Sequence, residues 1–179
     1  IKIISKDLDD DADNLFWSED SQSIYFAFDN RGERTIKQIS LNGDLNEIAS
    51  NVGGTTIGRP YISGGFHIAN GTAAYTYGKP DRPADVGIAI KGKTKVLTQL
   101  NEDILGYRKL GKVNEIIYNS SFDNEEIHGW YITPPNFDPS KKYPLILEIH
   151  GGPHLAYGPH FSAELQMMAA SGYIVFYDN

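Results

Sequence analysis

Residues Glu148 to Phe161 read EIHGGPHLAYGPHF and close the most apolar run of the chain, YPLILEI. Gly151 and Gly152 are adjacent and Pro153 follows them. Two neighbouring glycines let a chain turn away sharply at the end of a strand and leave backbone N–H groups bare. Bare N–H groups at such a place can donate to the oxyanion that develops on a carbonyl under nucleophilic attack. The same dipeptide also serves as a plain strand-to-helix turn, so residue types alone leave both readings open. His150, His154 and His160 crowd the same stretch. A metal site would need a matching carboxylate at ligand spacing, and its absence favours structural loop histidines. The acidic run from Asp7 to Asp13 lacks the glycine and the terminal glutamate of a calcium loop, which favours a solvated loop. No G-x-S-x-G elbow occurs anywhere in the sequence. Tyr61 to Gly65, YISGG, lacks the first glycine of that pattern.

The elements that must hold this turn are legible around it. PLILEI reads as a continuous apolar strand of the kind found in sheets covered on both faces. Ser162 to Ser171 reads as a short helix, with Phe161, Leu165, Met168 and Ala169 at helical spacing, Glu164 in the first turn and Gly172 as the stop. YIVFY is a second buried strand. Upstream, Val113 to Asn119 and Glu126 to Thr133 form a hairpin. Hairpin, strand, loop, helix and strand in this order open an α/β sheet with a right-handed crossover.

The first hundred residues follow another grammar. From Leu15 to Ala49, short alternating or aromatic runs (LFW, SIYFAFD, TIKQIS, LNEIA) are separated by the turn-forming SEDSQ, DNRGE and LNGD. The pattern returns about 49 residues later in FHIANGTAAYTYGKPDRPADVGIAIKGKTKVLTQL, where Gly43 matches Gly92, Phe26 matches Tyr75 and Phe28 matches Tyr77. A four-stranded unit repeating at this interval is the sequence form of β-propeller blades. Two blades do not close a ring, so the chain is expected to be an internal piece of a longer protein. Trp17 and Trp130 read as core anchors.

Composition sets the outer bounds. The chain has 179 residues, a formal net charge of -7 from 23 acidic and 16 basic side chains, and 40% apolar residues. An acidic surface argues against nucleic acid and anionic membranes as partners. No apolar run approaches the length of a membrane helix. The absence of cysteine excludes disulfides, thiolate nucleophiles and zinc-thiolate sites. The expectation is a cytoplasmic protein with neither cofactor nor metal.

From Gly129 to Asn179, the elements KKYPLI, HGGPH, YG, F and GY at their spacings resemble the start of the catalytic domain in the prolyl oligopeptidase family of serine peptidases. The acylaminoacyl-peptidase and dipeptidyl-peptidase-like branch is the nearest. The blade-like repeat agrees, since that family places a propeller before its hydrolase domain. The resemblance implies about two propeller blades over residues 1–105 and the start of an α/β-hydrolase domain over 106–179. It implies hydrolysis of short peptides by acyl transfer through a Ser-Asp-His triad lying outside this chain, which alone should be inactive. Gly152 falls where the family's loop supplies an oxyanion N–H. His150 stands where other branches place a tyrosine hydroxyl, and a loop-shaping role is expected for it, with Gly151 and Pro153 shaping the turn. The expected partners are a short peptide substrate and the remaining parts of the parent polypeptide, and an oligomer is compatible with the sequence. Two rivals are an ester-cleaving carboxylesterase or lipase, and a non-catalytic propeller scaffold that binds peptides. The repeat counts against the first rival, because that group generally lacks a propeller.

Overall fold

The computed structural model describes residues 2–6, 8–9 and 11–179. Asp7 and Asp10 of the acidic run lie outside the described residues, as does Ile1. Strands dominate. The first eight are β1 (Ala12–Trp17), β2 (Ser23–Asn30), β3 (Glu33–Ser40), β4 (Leu45–Val52), β5 (Phe66–Ala69), β6 (Thr72–Lys79), β7 (Arg82–Ile90) and β8 (Lys93–Val96). They form two antiparallel meanders, β1 to β4 and β5 to β8, joined by the single pairing of Val52 with Tyr77.

Three hairpins turn through two residues at positive φ: Arg31 and Gly32 (51° and 82°), Asn70 and Gly71 (48° and 67°), and Lys91 and Gly92 (49° and 74°). This is the type I′ form, whose twist matches that of the flanking strands, and glycine takes its second position without steric cost.

The repeat read from the sequence has a packing counterpart. Ala27, Ile36, Ala49 and Val52 of the first meander are buried against Phe66, Ala73, Tyr75 and Ala89 of the second. On its other face the first meander buries Phe26, Phe28 and Ile39 beside Ile4 and Leu8. Phe26 and Tyr75 therefore point the same way within their own units, and each unit lays its aromatic face on what precedes it in the chain. Gly87 makes room for this, because a Cβ there would stand 2.6 Å from the Tyr75 ring. Each fully buried Phe or Ile contributes on the order of 1.5–3 kcal/mol.

A helical turn that the sequence pattern does not announce, α1 (Glu102–Leu105), is tied back by an Arg82–Glu102 ion pair at 2.7 Å. Then come β9 (Val113–Asn119), β10 (Glu126–Ile132), β11 (Leu145–Glu148), α2 (Ala163–Ala170) and β12 (Ile174–Asp178). The second sheet has the order β11-β12-β10-β9, with β11 and β12 parallel and the remaining pairs antiparallel. Helix α2 starts at Ser162, whose hydroxyl accepts from the Leu165 N–H at 3.2 Å, and stops before Gly172 at φ 98°. Its Leu165 and Ala169 pack on Trp130, Ile132, Val175 and Tyr177.

Within these 179 residues β11 ends the second sheet, and α2 covers one of its faces. Ile146 lies against the core below α2, whereas Leu145 and Leu147 are 63% and 54% exposed. The continuous apolar run hides a strand's two-residue alternation, and α2 shields one side of it.

The connection from β4 to β5 leaves the first sheet and lies along the second. Ala163 N–H donates to Ile57 C=O (2.8 Å), Gly158 N–H to Pro60 C=O (2.9 Å) and Ile62 N–H to Ala156 C=O (3.0 Å). The turn between β2 and β3 presses against the same place. A Cβ on Gly158 would fall 1.9 Å from the Gly32 carbonyl oxygen, and one on Gly32 would fall 2.5 Å from the Trp130 ring.

Candidate functional site

β11 and β12 run parallel with Glu148 opposite Tyr177, so their carboxyl ends open side by side. The turn from His150 to Pro153 leaves one end and Asn179 leaves the other. Groups that react or bind gather at this edge of an open α/β sheet. Gly151 and Gly152 are exposed, and among the described residues no acceptor takes either N–H. Gly152 holds φ at 148°, where a Cβ would also stand 2.9 Å from the Leu155 nitrogen. Glycine is required there on both counts. His150 is half-buried. Its Nδ1 lies 3.2 Å from the Gly151 carbonyl oxygen, and its ring meets the Tyr157 ring edge-on at 5.2 Å.

Beneath the turn lies a polar junction. Tyr157 is buried and its hydroxyl donates to Glu148 at 3.0 Å. Burial, with Tyr61 beside it, pushes this hydroxyl up to about 12, so it remains a donor throughout the neutral range. Glu148 pairs with Arg59 from the β4–β5 connection, and Arg59 also reaches Glu164 of α2 at 3.0 Å. The Tyr61 and Tyr157 rings lie 4.7 Å apart, and the two residues form a β-bridge. The Asn179 carboxamide accepts from the Tyr157 N–H at 2.7 Å and donates to the Tyr157 C=O at 2.8 Å.

The three histidines of the sequence motif are dispersed. His150 lies at the turn and His154 is exposed, whereas His160 is buried at the junction of the sheets. Burial holds the His160 imidazole below its ordinary pKa. Among the described residues no group of three or more His, Asp or Glu is arranged to hold a metal. A cavity of about 540 Å³ opens between the sheets, bordered by Asp29, Arg31, Arg34, His154 and Asn179. Arg34 is committed there to Asp13 and Asp29, at 2.6 Å each.

The turn was legible in the sequence, but the residues that carry it were not. Arg59, Tyr61 and Asn179 have no local signature. Glu148 leaves one, a carboxylate closing an apolar strand, and Tyr157 stands in the YG element.

No family model matches the chain. An uncharacterized peptidase, YuxL, of Bacillus subtilis is 32% identical over 166 residues, which is 91% of this chain and 24% of that protein. Dipeptidyl-peptidase 5 of Aspergillus fumigatus is 27% identical over 190 residues, covering 100% of this chain and 25% of the relative. The homologues of this chain are peptidases. Among solved structures, an acylaminoacyl peptidase in complex with Z-Gly-Gly-Phe-chloromethyl ketone superposes with a TM-score of 0.79 and 27% identity, over 98% of this chain and 26% of that one. These peptidase relatives bear out the resemblance to the prolyl oligopeptidase family read from the sequence. The chain spans about a quarter of their length.

Proposed function

We propose that this chain is part of a serine peptidase that cleaves short peptides by acyl transfer. In this reading residues 1–105 form about two propeller blades and residues 106–179 begin an α/β-hydrolase domain. Two features support it: meanders that each pack on what precedes them, and a parallel β11–α2–β12 crossover. The observation that carries the function is the pair of uncommitted N–H groups at Gly151 and Gly152, at the carboxyl edge of β11 in a chain whose relatives are peptidases.

The chemistry follows from that placement. A serine hydroxyl attacks the scissile carbonyl while a histidine takes its proton, and an aspartate holds that histidine in the productive tautomer. Negative charge then grows on the former carbonyl oxygen. The Gly152 N–H donates to it, and the His150 ring sets the path of the turn. The three triad residues are contributed from outside these 179. The substrate is a short peptide, the compartment is the cytoplasm and no cofactor takes part.

The test is hydrolysis of chromogenic acyl-peptide and dipeptidyl substrates by the full-length polypeptide, with fluorophosphonate labelling of its nucleophile. Labelling and turnover are expected for the full-length protein and neither for the 179-residue chain alone. A full-length protein inert to both the substrates and the probe would overturn the reading.

A further inference from the structure

The turn that presents the two N–H groups has little structure of its own. Among the described residues no backbone acceptor takes the N–H of Gly151, Gly152, His154 or Leu155. Its geometry is therefore set by its two anchors, β11 at one end and Tyr157 at the other.

Tyr157 is fixed on every side. The Asn179 carboxamide pairs with both its N–H and its C=O, as a neighbouring strand would. Its hydroxyl reaches Glu148, which closes the turn into a ring of chain and side chain. Tyr61 and Tyr177 pack on it at 4.7 and 5.6 Å, and the remaining ring edge supports His150 at 5.2 Å. We infer that Tyr157, clamped by Asn179, is a positioning residue that sets where His150, Gly151 and Gly152 stand relative to the end of β12. This inference rests on the peptidase reading given above. An oxyanion donor acts only within a few tenths of an ångström of its productive place, so a clamp that removes play from the turn acts on the rate of the chemical step.

Truncating Asn179 to alanine removes both hydrogen bonds to the Tyr157 backbone. The experiment compares Asn179→Ala with the unmodified full-length polypeptide. The clamp predicts a kcat about tenfold lower with KM held within about twofold, since substrate binding is untouched. It also predicts amide hydrogen exchange about tenfold faster at residues 151–157, with exchange in β10 unchanged. A purely structural residue would instead speed exchange in both places and spare kcat per folded molecule. Asn179→Asp keeps the acceptor for the Tyr157 N–H and loses the donor to its C=O, so it should fall between the two, at about threefold in kcat. If the alanine variant does not fold, the aspartate variant decides by the same two readouts.

Normal kcat and normal loop exchange in a folded variant would overturn the clamp and leave the peptidase reading standing. The converse is equally distinct: no turnover by the unmodified protein, together with loop exchange that depends on Asn179, overturns the peptidase reading and leaves the clamp standing.

Discussion

Arg59 and Glu148 form an ion pair across the junction of the two sheets, one from the β4–β5 connection and the other from the last residue of β11. Glu148 is 14% exposed in its side chain and also accepts from Tyr157, so its charge is held in a largely dry place between two donors. Arg59 divides itself between Glu148 and Glu164, which binds the connection to both β11 and α2. Removing one member of such a pair strands the other, and the stranded charge costs more than the pair contributes.

Arg59→Ala is accordingly expected to destabilise the full-length protein by about 1–3 kcal/mol, whereas the double variant Arg59→Ala, Glu148→Gln should recover part of that loss. Thermal melting of the two single variants and the double variant checks this. Strictly additive losses would mean that the pair does not couple the sheets.

His160 gives the junction a pH dependence of known sign. Its ring is wedged between Gly53 and Gly158, where a Cβ on either would stand 2.9 Å from ring atoms, and its Nε2 has no partner among the described residues. Burial lowers its pKa, the Gly32 carbonyl and Asp29 oppose that shift, and Arg34 adds to it. The folded state thus prefers the neutral ring. Above the unfolded pKa of about 6.5 that preference costs nothing; below it the unfolded chain takes up a proton that the folded one refuses. Stability should fall as pH drops from about 6.5 towards the folded pKa, with a slope of at most about 1.4 kcal/mol per pH unit from this residue. Urea denaturation between pH 7.5 and 5 should show the slope, and His160→Gln should flatten it. An unchanged slope in that variant would assign it to other groups.

The proposed role of Gly152 has a geometric test. In a complex with a phosphonate on the nucleophile, the Gly152 N–H should lie about 2.7–3.1 Å from the phosphonyl oxygen. Gly152→Pro removes the donor and also conflicts with φ at 148°, so kcat should fall at least about 100-fold. His150→Ala should cost much less, because the ring supports the turn against Tyr157 without replacing the backbone donor. Equal losses from the two variants would make the His150 ring a second donor, and an N–H turned away from the oxygen would reduce the turn to a connection.

Much of this architecture was legible because its causes are local. Alternation along SIYFAFD and TAAYTYGK defines strands, and glycine after Arg31, Asn70 and Lys91 defines tight hairpins, since neighbouring atoms alone decide which φ values are open. Ser162 and Gly172 bound α2 for the same reason: each acts on backbone groups within one turn of itself. The glycine pair after PLILEI announced a turn that exposes N–H groups. What the sequence left open depends on where distant segments cross. That Ile146 of β11 is the side chain that faces the core follows from the placement of α2. Tyr157 and Asn179 meet because β11 and β12 pair in parallel and bring their ends together. Arg59 finds Glu148 and Glu164 only because the β4–β5 connection is laid along the second sheet. A charged or amide side chain reads alike in sequence whether it faces water or a buried partner, and only tertiary structure supplies the partner that decides between a solvated surface and an anchored turn.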